Sequence, residues 1–148
     1  MEGIEIMRNQ NRLSNISSLL RKEFGIVGSV IPVAGENENY LITADDGRRF
    51  VLKIAECDNA LAMIELENMA VEAAAAYCPD LSLPRLVKTC NGKIAVSLHT
   101  DKKPAPLQAR LLRCVEGTGW FEDQRISVER CRDLGRRVAQ LDLALSAL

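Results

Sequence analysis

Residues 35–55 read GENENYLITADDGRRFVLKIA and contain two strand patterns on either side of a turn signal. Asp46-Gly47 favours a β-hairpin, because the glycine adopts the positive φ that tight hairpin loops require. The alternation and the apolar, β-branched content predict strands at 40–44 and 49–55. An antiparallel strand pair is therefore the expected centre of the fold.

The second of these strands carries one lysine among apolar residues. Lys53 lies between Leu52 and Ile54, and Val51 shares its strand face two residues earlier. Burying an unpaired ammonium group is costly, so a lysine at this place meets a carboxylate or an anionic ligand. The alternative is an edge lysine that discourages aggregation. The spacing alone admits both interpretations.

Helices and further strands surround this hairpin. Helices are expected at 16–24, at 60–77 and from Ser127 onward, capped at Ser14 or Asn15 in the first and at Asp58 or Asn59 in the second. Further strands are expected at 28–34, at 107–115, and at 84–89 and 93–99 as partners across an Asn91-Gly92 turn. The order predicts an α+β fold with a five-stranded, mostly antiparallel sheet, one helix packed after strand 3, a short N-terminal helix and a C-terminal helix.

The composition excludes several classes of protein. The chain has 148 residues, a formal net charge of -1 and a pI near 5.9, which disfavours binding to nucleic acid or to an anionic membrane. No apolar run reaches the length of a membrane span, and the N-terminus has no signal-peptide pattern, so we expect a cytoplasmic protein. The five cysteines include no CxxC pair, which suggests reduced thiols rather than a zinc site or a disulfide framework.

Five segments together resemble a known family. They are 35–40, 46–54, 64–68, 110–117 and 134–142, which read GENENY, DGRRFVLKI, IELEN, RLLRCVEG and LGRRVAQLD. In order and spacing the chain is similar to the N-terminal lobe of the aminoglycoside phosphotransferase-type kinases, a group that includes the choline kinases. Within this group it most resembles the hydroxylysine kinase branch and bacterial phosphotransferases fused to aminotransferases.

The resemblance implies a domain organisation and a reaction. Residues 1–116 would form a protein-kinase-like lobe that binds ATP or GTP with Mg²⁺, and residues 117–148 would form a linker and the first helix leading to a second lobe. The implied activity is transfer of the γ-phosphoryl group to a hydroxyl of an amino-alcohol or aminoglycoside-like substrate. The alternative is a stand-alone, non-catalytic interaction module derived from such a lobe.

The resemblance also assigns residues to the phosphates. Lys53 would contact the α- and β-phosphates, and Glu67 on the following helix would orient it. Glu65 is the rival partner, because two residues along a helix direct it to a different side. The loop over the nucleotide is assigned to Gly35, Asn37 and Asn39.

Another set of residues is assigned to the base. Val51 would face the adenine, because it shares a strand face with Lys53. The segment from Leu112 to Val115 would be the hinge between lobes, where the carbonyl of Arg113 and the amide of Val115 bind the adenine edge.

The family's catalytic motif does not occur at the place that the resemblance implies. The family's second lobe carries a His-x-Asp catalytic loop, whereas the single histidine of this sequence, His99, begins a His-Thr-Asp at 99–101 that directly follows a strand expected in the first lobe. We therefore expect the catalytic base and the metal ligands on a second lobe, and no phosphotransfer by this chain alone. We also expect a homodimer through an apolar stripe of the last helix, formed by Leu134, Val138, Leu141 and Leu145.

Overall fold

The computed structural model describes residues 12–35, 38–55, 59–99, 106–117 and 127–146. The chain separates into two compact units. The first consists of Met1–Ile64 and Leu86–Cys114 and contains nearly all of the sheet. The second consists of Glu65–Arg85 and Val115–Leu148 and is built from helices.

The described strands form one six-stranded sheet. The strands are β1 (Gly28–Val33), β2 (Glu38–Ala44), β3 (Arg49–Ala55), β4 (Arg85–Val87), β5 (Val96–Leu98) and β6 (Leu107–Arg113). Their order is β1-β2-β3-β6-β4, and β5 also pairs with β6. The pairs β1–β2, β2–β3, β3–β6 and β5–β6 are antiparallel. The predicted α+β class is confirmed, and the sheet contains a strand in each of the six expected segments, one more than the five strands predicted for the sheet.

The predicted Asp-Gly hairpin joins β2 to β3. The Gly47 amide donates to the Ala44 carbonyl at 2.9 Å, and the Ala44 amide donates to the Arg48 carbonyl at 2.9 Å. Gly47 has φ 84°, as the last position of such a loop requires. The Arg48 side chain donates to the Asp46 carboxylate at 2.7 Å and lowers the pKa of Asp46.

Strands β1 and β2 approach each other closely at Gly28. A Cβ atom at this position would lie 2.1 Å from the carbonyl oxygen of Thr43. Only glycine therefore fits here without a shift of one backbone. The close approach fixes the start of β1 against the end of β2, where the register pairs Gly28 with Ala44.

An N-terminal helix, α1, covers one face of the sheet. It is helical from residue 12 to residue 24, and its last turn, Leu20–Phe24, is π-helical. Ile16, Leu20 and Phe24 are buried in a common cluster with the sheet, and Gly25 ends the helix as predicted, with φ 66°.

The predicted start of α1 is wrong, since Ser14 and Asn15 lie inside the helix rather than at its cap. Residue 12 is already helical, and its guanidinium group pairs with Glu38 on β2. A tertiary contact one turn upstream thus outweighs the local capping preference of serine and asparagine.

The predicted pairing of the strands at 84–89 and 93–99 is limited to the turn, where the Thr89 amide donates to the Lys93 carbonyl at 2.9 Å. The turn between them exists, with the Gly92 amide donating to the Thr89 carbonyl at 2.9 Å and Gly92 at φ 77°. Within the described part of the sheet, however, β4 and β5 each lie beside β6 and not beside each other. Each has only three residues, whereas β6 has seven and presents the fully buried Ala109 and Leu111.

Two long helices complete the chain. α2 is Ala60–Tyr77, close to the prediction, and the carbonyl of Asn59 accepts from the amide of Met63 at 3.0 Å. The alternative cap Asp58 lies outside the described residues. α3 is Val128–Leu145 and begins as predicted at Ser127, whose hydroxyl accepts from the Arg130 amide. Among the described helices, none is both long and apolar enough to cross a lipid bilayer.

Contacts within the second unit tie the end of α2 to α3. The Cys78 thiol lies 3.7 Å from the Gln140 carbonyl oxygen, and the Arg137 side chain donates to the Asp80 carbonyl at 3.2 Å. Ala74 and Ala144, one on each helix, are each 1% exposed.

Candidate functional site

The two faces of the sheet differ in character. The core face packs against α1 and carries the most deeply buried side chains of the unit, Tyr40, Ile42, Phe50, Leu52, Ile54, Ala109 and Leu111. Because side chains alternate along a strand, the residues between them lie on the opposite face, called here the second face. On β2, β3 and β6 most of those residues are half-buried.

The strand register aligns an apolar row across the second face. Ile31 pairs with Leu41, Leu41 with Val51, and Val51 with Leu112. Ile31 is 53% exposed, and the other three side chains are half-buried. With neighbouring strands ~4.8 Å apart, this apolar row extends over ~14 Å, enough to support a flat ring system.

A polar row lies next to the apolar row. Asn39 pairs with Lys53, and Lys53 pairs with Arg110. On each strand, the residue of the polar row lies two positions away from the residue of the apolar row. The two rows are therefore roughly 7 Å apart. All three residues of the polar row are half-buried. An apolar surface therefore borders directly on two cations and an amide.

The hydrogen-bond ladder fixes how closely the polar row is spaced. The pair Ala44–Arg48 is hydrogen-bonded, so by alternation Asn39 and Lys53 form a non-hydrogen-bonded pair, the type with the shorter Cα separation of ~4.5 Å. The Cys114 amide donates to the Arg49 carbonyl at 3.0 Å, so Lys53 and Arg110 form a hydrogen-bonded pair, with a Cα separation of ~5.5 Å.

Two adjacent cations favour an anionic ligand. Within the described part of the first unit, acidic side chains form ion pairs with Arg12, Lys22 and Arg48. No described carboxylate forms an ion pair with Lys53. A ligand with several negative oxygens supplies Lys53 with the opposite charge that the described carboxylates do not. The polar row is therefore suited to a polyphosphate.

A buried amide continues the polar side of the second face. Gln108 pairs with Ala55 and is 8% exposed. Its amide nitrogen donates to the Ser97 hydroxyl at 3.0 Å, which joins β6 to β5. This hydrogen bond satisfies a buried polar group and keeps β6 in register beside the polar row.

Near the end of β6, the backbone N–H and C=O groups of one residue, Arg113, point away from β3. Because the Cys114 amide faces Arg49, the backbone groups of Arg113 point to the other side of the strand. Leu112 contributes its side chain to the apolar row, and the side chain of Arg113 is exposed. Val115, at the start of the segment in the second unit, is 44% exposed.

The two candidate glutamates lie on different stripes of α2. Glu67 follows Ile64 by three positions and precedes Ala74 by seven, and both of these residues are buried. Glu65 lies four positions before Met69, which is 61% exposed. Helical spacing therefore places Glu67, and not Glu65, in line with the buried residues of the helix, although both glutamate side chains are exposed.

A charged cluster lies behind the polar row, on the core face. The Arg12 guanidinium donates to both carboxylate oxygens of Glu38, through Nε to Oε1 at 2.6 Å and through Nη2 to Oε2. The Tyr40 hydroxyl donates to Oε1 of the same carboxylate. Burial and, to a lesser extent, this hydrogen bond raise the pKa of Tyr40 to about 12, so the hydroxyl keeps its proton near neutral pH.

Some of the site residues predicted from the sequence lie together on the second face, and others do not. Val51, Lys53, Asn39 and Leu112 lie on one face in two adjacent rows, whereas Gly35 is exposed beyond the end of β1. Asn37 lies outside the described residues. The prediction gave no role to Arg110, although the alternation of Gln108, Arg110 and Leu112 along β6 is a visible period-two signal.

Comparison with known proteins identifies the family. The model of the phosphotransferase enzyme family named APH matches residues 29–148. The chain therefore belongs to this phosphotransferase family, and the family resemblance found in the sequence is confirmed. A comparison with curated proteins finds no significant match.

Two solved structures share the fold. A microcompartment-associated aminopropanol kinase has a TM-score of 0.63 and 18% identity, over 87% of this chain and 39% of its own. An amicoumacin kinase solved with AMP-PNP, Ca²⁺ and Ami has a TM-score of 0.55 and 12% identity, over 85% of this chain and 51% of its own. The chain thus spans between two fifths and about half of the length of these kinases.

Proposed function

We propose that the second face binds a nucleoside triphosphate, ATP or GTP, and that the chain is the nucleotide-binding lobe of a small-molecule kinase. The observation that supports this most strongly is the juxtaposition of two rows, the apolar row through Val51 and Leu112 and the polar row through Lys53. A nucleotide has the same order of parts, a flat base followed by charged phosphates.

The base lies against the apolar row in this proposal. Val51 and Leu112 contact one side of the ring, and the carbonyl of Arg113 and the amide of Val115 bind its polar edge. Support comes from β6, whose ladder directs the backbone groups of Arg113 away from β3 and leaves them outside that strand pair.

The phosphates lie at the polar row. Lys53 contacts the α- and β-phosphates, Asn39 hydrogen-bonds to a phosphate oxygen, and Gly35 and Asn37 belong to the loop above them. Glu67 orients the lysine, as the resemblance to the family implies. Arg110 adds a second positive charge next to Lys53.

Kinases of this kind use a nucleotide together with a divalent metal, which neutralises phosphate charge. Among the described residues, no group of three His, Cys, Asp or Glu side chains lies close enough together to hold a metal ion. We assign the Mg²⁺ ligands and the catalytic base to a second lobe.

The acceptor in this proposal is a hydroxyl of an amino-alcohol or aminoglycoside-like substrate. One solved neighbour is an aminopropanol kinase and another an amicoumacin kinase, and the sequence most resembles the hydroxylysine kinase branch. A cytoplasmic place of action is consistent with the described cysteines, which are all free thiols.

The first prediction concerns the 148-residue chain itself. We expect it to bind ATP with a dissociation constant weaker than ~10 μM, because the base is enclosed on one side only. We expect no transfer of phosphate to aminopropanol, since this proposal assigns the catalytic base to a second lobe. Calorimetry and a phosphate-transfer assay measure both. Turnover that disappears in the Lys53→Ala variant would contradict the assignment of the catalytic base to another lobe.

A second candidate function is self-association through α3. Leu134, Val138, Leu141 and Leu145 follow each other at spacings of 4, 3 and 4 positions, as in a helix-pairing seam. Leu134 and Val138 are each 50% exposed, and Leu145 is 38% exposed. An exposed stripe of this kind favours a two-fold dimer in which α3 packs against its own copy.

The second prediction tests this dimer. Light scattering at about 100 μM should show a dimer for the native chain and a monomer for the Val138→Glu variant, because the new charge would be buried in the seam. Val128→Glu is the matched control, since Val128 is 69% exposed on the same helix and lies off the stripe. A native monomer, or equal effects of both variants, would exclude an α3 dimer.

A further inference from the structure

We propose that Arg12 and Tyr40 are positioning residues that hold Glu38 and thereby align Asn39 with Lys53 in the polar row. The inference rests on the proposed nucleotide site. It concerns the core face of β2, which touches no nucleotide in that proposal. Arg12 lies on α1, 26 positions away from Glu38 in sequence, and joins the helix to the first residue of β2.

The contacts around Glu38 engage both of its carboxylate oxygens. Arg12 donates to each of them, the two-point geometry that restricts both side chains most. Tyr40 donates to one of the same oxygens and is itself only 3% exposed. The carboxylate is thus fixed between a helix on one side and a buried ring on the other.

Alternation along β2 transmits this anchoring to the second face. Glu38 and Tyr40 flank Asn39 and point to the core face, so Asn39 points to the second face between two anchored neighbours. The β1–β2 ladder ends with the pair Val33–Asn39, and Glu38 has no β1 partner in that register. The cluster therefore anchors β2 at the place where support from β1 stops.

The other end of β2 offers a matched control. Arg48 forms an ion pair with Asp46 at 2.7 Å, in which both side chains are exposed, whereas Glu38 in the Arg12 pair is half-buried. This pair lies in the β2–β3 hairpin, at the opposite end of β2 from the polar row. Arg12→Met and Arg48→Met each remove one guanidinium group and keep an unbranched apolar side chain. Only the first should affect Asn39.

The experiment measures two independent quantities on the 148-residue chain. Hydrogen exchange follows the backbone amide of Asn39, which the ladder directs to Val33 of β1. A titration compares the affinities for ATP and for adenosine. Tyr40→Phe, which removes only the hydroxyl, is the third variant and tests the cluster without a change of charge.

Arg12→Met should speed exchange at Asn39 and weaken ATP binding about two- to fivefold with no change for adenosine, the size expected for one exposed ion pair. Tyr40→Phe should shift both quantities in the same direction, and Arg48→Met should shift neither.

If Arg12→Met only lowered the stability of the fold, it would weaken the binding of ATP and of adenosine equally. Unchanged exchange at Asn39 in Arg12→Met would overturn the positioning role. Failure of the native chain to bind ATP would instead overturn the proposed function.

Discussion

Replacing Lys53 by methionine should weaken ATP binding about 10- to 100-fold, which is the usual effect of losing a hydrogen-bonded charge. The fold should survive, because Lys53 is half-buried on the second face and methionine preserves most of its apolar stem. Adenosine affinity should change little, since the proposal assigns the base to the neighbouring apolar row. Calorimetric or NMR titrations with ATP and adenosine measure this difference.

Arg49→Met is the matched control for this prediction. Arg49 lies on the same strand and the same face, two residues before Val51, whereas Lys53 lies two residues after it. It carries the same charge on the opposite side of the apolar row. If ATP bound only through general electrostatic attraction, both variants would lose affinity equally, and the polar row would have no specific role.

Replacing Leu52 by alanine should reduce the free energy of unfolding by about 2–5 kcal/mol, the typical cost of a large-to-small change in a packed core. Leu52 is fully buried and belongs to the cluster that packs against α1. Chemical denaturation of the native chain and the variant gives the difference directly. A loss below about 1 kcal/mol would contradict the assignment of Leu52 to the core face.

Val51→Ala, on the residue next to Leu52, should affect ligand binding more than stability. Val51 is half-buried in the apolar row, so its truncation should cost roughly 1 kcal/mol or less in stability. It should instead weaken the binding of both ATP and adenosine, because the base loses an apolar contact. The reversal of effects between two neighbouring residues follows from strand alternation alone.

Local patterns were sufficient for most of the secondary structure. The hairpin at Asp46-Gly47, the strand Arg49–Ala55 and the helix starting after Ser127 follow from turn chemistry, alternation and capping. The same alternation predicted that Val51 and Lys53 share a face. These features depend on residues within a few positions of each other, which is the range that sequence patterns describe.

Features that depend on distant residues could not be predicted in this way. The ion pair of Arg12 and Glu38 joins two elements and extends α1 beyond its expected cap. The pairing of β4 and β5 with β6 is decided by the sheet and not by the turn between them. Arg110 became a candidate only when the register placed it beside Lys53. Each case depends on how distant elements pack against each other, which no local pattern contains.

Methyl NMR spectra of the chain during titration with ATP test the central assignment most directly. The proposal predicts that the methyl groups of Val51, Leu112 and Leu41, on the second face, shift as ATP is added. Those of Leu52 and Leu111, on the core face, should remain in place. Shifts on the core face or along α3 instead, or no shifts at ATP concentrations in the millimolar range, would contradict a nucleotide site on the second face.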